Sequence, residues 1–328
     1  MSSNLSNNSN EIKPTNIALW GPSAVGKDWL FRSFTKELEY YNQQDNNYHY
    51  ELLERAPGQR DLQPKEVEIP VDAPTPGIDM VSFVFRRKAL NGGITQEHDL
   101  IIQNNNGQEL VNSLDNSMEF ETTFQILVQA RNLFLVLGPP EGNIPVHYQS
   151  PDIPELQPEP DVFSNDVNES KYAAQTVNSQ DKKILFDRQT YFQFMRRLFS
   201  SFQNNTRRNL AVCLTKCDIM NFRGLPQDML ELRYGLAMKD LLELEQKKHN
   251  IRVFATSAAG YLRQNGRWIP NMQGNVIRDT ERWDPLNTAA PFFWIFDTIE
   301  KQRLESAPFW SRGALLKSYD PYPDPRPM

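Results

Sequence analysis

Two glycines and a lysine near the start of the chain have the types and the spacing of a phosphate-binding loop. Residues 21–27, GPSAVGK, fit the pattern G-x-x-x-x-G-K. In such a loop the glycines let backbone N–H groups curl around a phosphate, and the lysine ammonium reaches the phosphate oxygens. The segment therefore predicts a site for the phosphates of a nucleotide. The residues assigned to this site are Gly21, Ser23, Ala24, Val25, Gly26, Lys27 and Asp28.

The segments on either side of this loop are those that a phosphate loop requires. Residues 17–20 form a short apolar run, and apolar residues recur at helical spacing at Leu30, Phe34, Leu38 and Tyr41. A strand before the loop and a helix after it point the positive end of the helix dipole at the bound anion. This context favours a phosphate loop over an ordinary glycine-rich turn.

The rest of the chain alternates predicted strands and helices. Residues 78–103 are typical of an antiparallel hairpin, and the continuous apolar runs 132–138 and 209–214 are typical of strands buried in a parallel sheet. We therefore predict an α/β fold with a doubly wound, mainly parallel sheet and one antiparallel edge hairpin. Further helices are predicted at 124–130, 191–202, 229–244 and 289–304.

Composition divides the chain into one domain with flanking tails. Residues 42–70 are polar and interrupted by proline, which indicates a loop or irregular insertion, and residues 139–183 have the proline-rich, acidic composition of a disordered or lid-like insertion. The predicted division is a disordered tail at 1–14, a domain at 15–304 that carries both insertions, and a C-terminal tail at 305–328.

Charge and cysteine content exclude several classes of protein. With 41 acidic and 35 basic side chains the net charge is −6, so the chain as a whole has no electrostatic reason to bind nucleic acid or anionic lipid. The two cysteines, Cys213 and Cys217, give neither a disulfide framework nor a metal-ligand set. We expect a cytoplasmic protein without a transmembrane segment.

Further stretches give the chain a resemblance to the P-loop GTPases of the translation-factor and Ras-like class, and within that class to the divergent prokaryotic double-GTPases. LTKCD at 214–218 resembles the guanine-specifying motif, and TSA at 256–258 resembles the last guanine-contacting loop. The resemblance implies that Asp218 accepts the N1–H and N2–H bonds of guanine and that Lys216 lies along the base plane. The base-site residues that it implies are Thr215, Lys216, Asp218, Ser257 and Ala258.

The same family has two motifs that serve magnesium binding and hydrolysis. Thr75, in a proline-rich turn before the hairpin, stands where the switch threonine is found. Residues 104–107 stand where the family has D-x-x-G, and Gln108 follows as the water-orienting glutamine does. The resemblance implies GTP or GDP as the ligand, with Gln108 and Thr75 in hydrolysis and Thr75, Asn104 and Asp28 around the magnesium.

Two departures from the family fall on the magnesium site. Asp28 replaces the loop serine or threonine that ligates the ion, and Asn104 replaces the aspartate that holds it from the opposite side. An uncompensated carboxylate about 4 Å from a phosphate costs about 4 kcal/mol at an effective dielectric near 20, or about a thousandfold in affinity. Either Asp28 ligates the cation itself, or it accepts a hydrogen bond from Asn104 and the pocket stays empty.

The sequence therefore predicts a guanine-nucleotide-binding protein with impaired or absent hydrolysis that acts through protein partners. The alternatives are a pseudo-GTPase scaffold that binds no nucleotide, and an ATPase or kinase-like P-loop protein in which the two base motifs are accidental. The histidines His49, His98, His147 and His249 are isolated from metal-ligating neighbours, which indicates ordinary surface or core positions. The tail after residue 304 either docks a partner or packs on its own domain.

Overall fold

A seven-stranded sheet forms the centre of the molecule, with the strands in the order β2-β3-β4-β1-β5-β6-β7. The computed structural model describes residues 15–22, 26–54, 79–91, 94–104, 118–140, 187–202, 206–219, 222–264, 266–273 and 276–328. The strands are β1 (Thr15–Trp20), β2 (Tyr48–Glu54), β3 (Asp79–Ala89), β4 (Ile94–Asn104), β5 (Asn132–Leu137), β6 (Asn209–Leu214) and β7 (Asn250–Ala255).

Strand direction divides the sheet into a parallel part and an antiparallel edge. β4, β1, β5, β6 and β7 are parallel to one another, whereas β3 is antiparallel to β4 and β2 is antiparallel to β3. Every residue of β5 and β6 is buried, as expected for central parallel strands. The predicted fold class is confirmed.

The edge strand β2 corrects the prediction that residues 42–70 are irregular. α1 continues to Gln44, and Tyr48–Glu54 pairs with β3. The strand forms because Tyr50 is buried in the core and Tyr48 and Leu52 pack partly against it, while His49 and Glu51 alternate with them on the other face. This short alternation was hidden in a longer segment that is polar and interrupted by proline. Residues 55–78 lie outside the described part of the chain, as do residues 141–186 of the second predicted insertion.

Helices cover both faces of the sheet. They are α1 (Lys27–Gln44), α2 (Met118–Gln129), α3 (Arg188–Ser201), α4 (Pro226–Tyr234), α5 (Leu236–Glu245), α6 (Ala290–Glu305) and α7 (Phe309–Ser318). β1 shows the layering, because Ile17 and Leu19 pack with α1 and α6 whereas Ala18 and Trp20 pack with α2 to α5. In the described part of the chain no helix is both long and apolar enough to cross a membrane.

Glycine at one position breaks a helix that the sequence predicts as continuous. Residues 229–244 show one apolar period, but Gly235 has φ 84° and ψ 170°, so α4 ends before it and α5 begins after it. That φ value lies in a region open to glycine and rarely adopted by other residues. Two small hairpins between β7 and α6 were not predicted. They are formed by β8 (Tyr261–Gln264) with β9 (Arg267–Pro270) and by β10 (Met272–Gln273) with β11 (Val276–Ile277).

The C-terminal segment packs on its own domain. Tyr322 is buried against aromatic residues of β3 and α6, and the guanidinium of Arg87 donates to the carbonyls of Asp320 at 2.6 Å and Pro321 at 3.2 Å. Arg326 makes a two-bond ion pair with Asp284, at 2.7 and 2.6 Å. The segment predicted as a tail therefore contains α7 and then returns across the sheet edge.

A buried carboxylate ties α1 to the start of α6. Glu37, on α1, is fully buried and accepts hydrogen bonds from Asn287 N at 2.7 Å, Thr288 Oγ1 at 2.9 Å and Ala289 N at 2.7 Å. Burial raises the pKa of this carboxyl group. Its position before the first turn of α6 offsets part of that cost, because a carboxylate is stabilised at a helix N-terminus.

Candidate functional site

The described segments that carry predicted site residues lie at one edge of the sheet. β1, β4, β6 and β7 run parallel, so the segments after their carboxyl ends lie at the same edge. The register places Asn104, the last residue of β4, opposite Leu19 of β1, just before the phosphate loop. The convergence that the sequence predicts for the phosphate loop and the end of β4 is therefore present in the backbone.

The predicted phosphate loop ends in a glycine with a left-handed backbone and in a lysine that turns back onto the loop. Gly26 precedes α1 with φ 93° and ψ 27°, a left-handed conformation, and no side chain of the described residues caps this end of the helix. Lys27 Nζ donates to the carbonyls of Gly21 at 2.6 Å and Pro22 at 3.0 Å. The lysine side chain therefore bridges the end of the predicted loop to its first two residues. The described part of the chain does not include Ser23, Ala24, Val25 or the side chain of Asp28.

The segment after β6 is held rigidly by the backbone around it. Thr215 N donates to Leu137 O at 3.0 Å, and Cys217 N donates to Thr256 O at 3.2 Å. Lys216 adopts φ 57°, a left-handed value that is uncommon for a residue with a side chain. Non-glycine residues in this conformation persist only where the surrounding structure enforces it, and they cluster at functional positions.

Asp218 lies in the loop after β6 and has a carboxylate oxygen without a partner among the described residues. The side chain is 2% exposed, and Oδ1 accepts a hydrogen bond of 2.6 Å from Ser257 Oγ. Oδ2 is buried and has no hydrogen-bond partner among the described residues. Burial raises the pKa of the carboxyl group. An ionised buried oxygen with no donor is costly, so its position fits a ligand that supplies N–H donors.

The loop after β7 is fixed to the same point. Ser257 bridges to Leu286 by two backbone bonds of 2.9 and 2.8 Å, and Gly260 N donates to Ser257 Oγ at 2.8 Å. The indole of Trp283 donates to Ala258 O at 2.7 Å and packs edge-on against Trp29 of α1, with ring centroids 6.1 Å apart. These contacts join the loop after β7 to α1.

Arg233 is a site residue that the sequence did not reveal. It is fully buried at the end of α4, and its guanidinium donates to Thr215 O at 2.5 Å and to Lys216 O at 2.9 Å. Burial lowers its pKa. An arginine in a helix is ordinarily a solvated charge, so residue type and spacing carried no signal of this role.

Arg223 joins the same loop to the β8–β9 hairpin. Its guanidinium lies between the rings of Tyr261 and Trp268, 4.4 and 4.3 Å from their centroids. The hydroxyl of Tyr261 donates to Phe222 O at 2.9 Å. Cation–π contacts with two rings stabilise the arginine, and here they hold the unpredicted hairpin against the loop that carries Asp218.

The predicted magnesium and hydrolysis residues lie mostly outside the described part of the chain. Thr75 and Gln108 lie outside the described residues, and of Asn104 only the backbone is described. In the described part of the chain no group of three or more histidine, cysteine or carboxylate side chains could hold a metal ion. His98 and His249 are buried, as expected of core histidines, and both cysteines are buried free thiols.

Comparison with known proteins shows only weak likeness. No family model matches the chain, and no curated protein matches it in sequence. The structure of Methanosarcina barkeri Roco2 RocCORdC bound to GDP matches with a TM-score of 0.31 and 13% identity, over 75% of this chain and 43% of that chain. The signal recognition particle receptor SRb-GTP/SRX complex from Chaetomium thermophilum matches with a TM-score of 0.39 and 10% identity, over 75% of this chain and 91% of that chain. At these scores neither likeness carries an argument about function.

Proposed function

We propose that the chain binds a guanine nucleotide across the carboxyl edge of its sheet. The observation that carries the proposal is Asp218, whose buried Oδ2 has no donor among the described residues while Oδ1 accepts a hydrogen bond from Ser257. A guanine base presents two adjacent N–H groups, which match a carboxylate in a buried site. The G-x-x-x-x-G-K loop at the same edge supplies a second, independent indication of a nucleotide.

Different residues of the site would bind the phosphates and the base of the nucleotide. Lys27 and the N-terminus of α1 would hold the phosphates, because both present positive charge where the loop ends. Asp218 would accept the guanine N–H bonds, Lys216 would lie along the base, and the backbone of Ser257 and Ala258 would face its carbonyl oxygen. Arg233 holds the loop after β6 in place, because its guanidinium donates hydrogen bonds to Thr215 O and Lys216 O.

We further propose that hydrolysis is slow or absent and that the protein acts through protein partners. The support is the pair of departures at the predicted magnesium site, Asp28 and Asn104. Efficient hydrolysis requires the metal, the switch threonine and the water-orienting glutamine together, and the metal ligands are altered here. A protein whose nucleotide turns over slowly signals through what it contacts in the bound state.

The same pair supports a second candidate, a scaffold that binds no nucleotide. If Asp28 faces the phosphates without a cation, its charge opposes binding, and Asp28→Thr should strengthen GDP binding in the presence of magnesium. If Asp28 ligates the cation, Asp28→Thr should weaken binding, because the site loses its carboxylate. The double variant with Asn104→Asp restores the family pattern and should bind nucleotide in both cases.

Two measurements test the proposal. The nucleotide released from the purified protein by denaturation identifies any base that the protein retains, and we expect GDP or GTP. Isothermal titration of the nucleotide-free protein with GDP and ADP then gives the base preference, with Asp218→Ala as the variant that removes the acceptor. Equal affinity for ADP would favour the ATPase or kinase-like alternative, and binding of neither would favour the scaffold.

A further inference from the structure

The outward face of α7 is apolar, which is unusual for a helix on a protein surface. Phe309 is 89% exposed and Trp310 is 85% exposed, and Leu316 is 38% exposed on the same side of the helix. One charged side chain, Lys317, lies among them. The exposed residues of this face are Phe309, Trp310, Gly313, Ala314, Leu316 and Lys317.

α7 is held against the domain, so its outward face has a fixed direction. At its start, Arg312 Nη2 donates to Ala307 O at 3.1 Å. At its end, the hydroxyl of Tyr319 donates to the carboxylate of Asp297 on α6, and Tyr322 N donates to the same carboxylate at 3.0 Å. The aromatic side chains are therefore presented to solvent by an anchored helix and not by a loose end.

Size and charge together indicate what covers this face. Phe309 and Trp310 together can bury roughly 300–500 Å², whereas a stable protein interface needs about 800 Å² on each partner. Residues 306–319 carry two cations, Arg312 and Lys317, and no carboxylate, although the chain as a whole has a net charge of −6. A small aromatic patch with local positive charge suits a bilayer, where Trp and Phe enter the headgroup boundary and Lys reaches lipid phosphates.

We propose that α7 docks the protein on an anionic lipid surface. Phe309 and Trp310 enter the boundary between headgroups and acyl chains, and Leu316 follows them from the next turns of the helix. Lys317 extends from the middle of this face to the lipid phosphates. A dry protein interface would leave the Lys317 ammonium without water, whereas a headgroup region supplies both water and phosphate oxygens.

Flotation of the full chain with vesicles tests this proposal. The protein should float with vesicles of phosphatidylcholine and phosphatidylglycerol, and much less with phosphatidylcholine alone. The double variant Phe309→Ser/Trp310→Ser should lose binding to both vesicles by about tenfold or more. Lys317→Glu keeps the aromatic pair and should lose the preference for the anionic vesicle. Leu236→Ser, which changes a 60% exposed leucine at the start of α5, is the matched control and should float like the wild type.

Three results would overturn the proposal. They are absence of the wild type from the floated fraction, equal flotation with both vesicles, and equal flotation of the Phe309→Ser/Trp310→Ser variant. Light scattering after size exclusion can also overturn it. If the wild type is a dimer and this variant is a monomer, the face binds a second copy of the chain and not a lipid surface. The replaced side chains are almost fully exposed, so a loss of folding, checked by circular dichroism, is not expected.

Discussion

The hydroxyl of Ser257 donates a hydrogen bond of 2.6 Å to Oδ1 of Asp218 and thereby joins the loop after β7 to the loop after β6. The same hydroxyl accepts a bond of 2.8 Å from Gly260 N. Ser257 therefore fixes the orientation of a buried carboxylate whose other oxygen has no partner among the described residues. A base-recognition site arranged in this way is preorganised, because its acceptor does not need to be ordered when the ligand binds.

Arg233 is predicted to position the base loop, the loop after β6 that carries Lys216 and Asp218. Arg233→Met removes two donors from buried carbonyls, so we expect the free energy of unfolding to fall by about 2 kcal/mol or more. We also expect GDP affinity to fall by about tenfold or more, whereas affinity for tripolyphosphate, which has no base, should not change. Titration calorimetry with both ligands separates positioning of the base loop from general loss of structure.

Two further variants control this experiment. Arg233→Lys retains one donor group for the carbonyls of Thr215 and Lys216 and should recover part of the GDP affinity. Arg282→Lys changes an arginine whose side chain is 75% exposed and should behave like the wild type. Equal losses of GDP and tripolyphosphate binding in Arg233→Met would contradict a role in base positioning.

Gly260 is predicted to be irreplaceable for steric reasons. It has φ 73°, and a Cβ added there would lie 1.9 Å from Asp284 O. Gly260→Ala should therefore destabilise the protein by about 2 kcal/mol or more in urea unfolding and should also displace Ser257, to which Gly260 donates. Gly266→Ala is the matched control, because φ is 79° and nothing lies within 4 Å of its added Cβ. A loss as large for the control would show that the close contact with Asp284 is not the cause.

His98 is predicted to destabilise the fold in acid. Burial lowers the pKa of this side chain from 6.5 to about 4, and its ring stacks on Phe296 and contacts the hydroxyl of Tyr322. Because the folded protein resists protonating His98, its contribution to stability is complete above pH 6.5 and is lost as the pH falls toward about 4. The difference amounts to about 3 kcal/mol.

Urea unfolding at several pH values measures this loss. His98→Phe keeps a ring against Phe296 but cannot titrate, so the gap in stability between wild type and variant should change between pH 6.5 and 4. The carboxyl groups of Glu37, Asp218 and Asp297, whose pKa values are raised by burial, are common to both proteins and cancel in the difference. A constant gap across this range would contradict the prediction.

Local patterns in the sequence were sufficient for the parallel sheet and for the positions of its functional loops. The continuous apolar runs that form β5 and β6 are typical of strands buried in a parallel sheet, and the G-x-x-x-x-G-K spacing predicts where strand β1 ends and helix α1 begins. The family resemblance assigns Asp218 and Ser257 to two motifs that follow successive predicted strands. Their hydrogen bond is consistent with that assignment.

Contacts between distant segments could not be predicted, because they depend on tertiary packing. Arg87 forms a hydrogen bond with Asp320, which lies more than 200 residues further along the chain. Arg233 is buried, although its position in a helix is typical of a solvent-exposed arginine. The first residues of β5, β6 and β7 form a ladder in which Asn209 donates to Asn132 at 2.8 Å and Asn250 donates to Asn209 at 2.8 Å. A single asparagine before an apolar run is common, so only the strand register reveals this ladder.

The base specificity of Asp218→Asn tests the central claim. A carboxylate accepts the two N–H bonds of guanine, whereas an amide can donate to the carbonyl that xanthine carries in place of the 2-amino group. The control is Asp240→Asn, which changes an acidic side chain on α5 away from the site.

The measurement is competition of GDP and XDP for the nucleotide-free protein. The account predicts that the wild type and the Asp240→Asn control prefer GDP by about tenfold or more, and that Asp218→Asn reverses the preference. Wild-type protein that binds neither nucleotide, or an Asp218→Asn variant that keeps the wild-type preference, would contradict it.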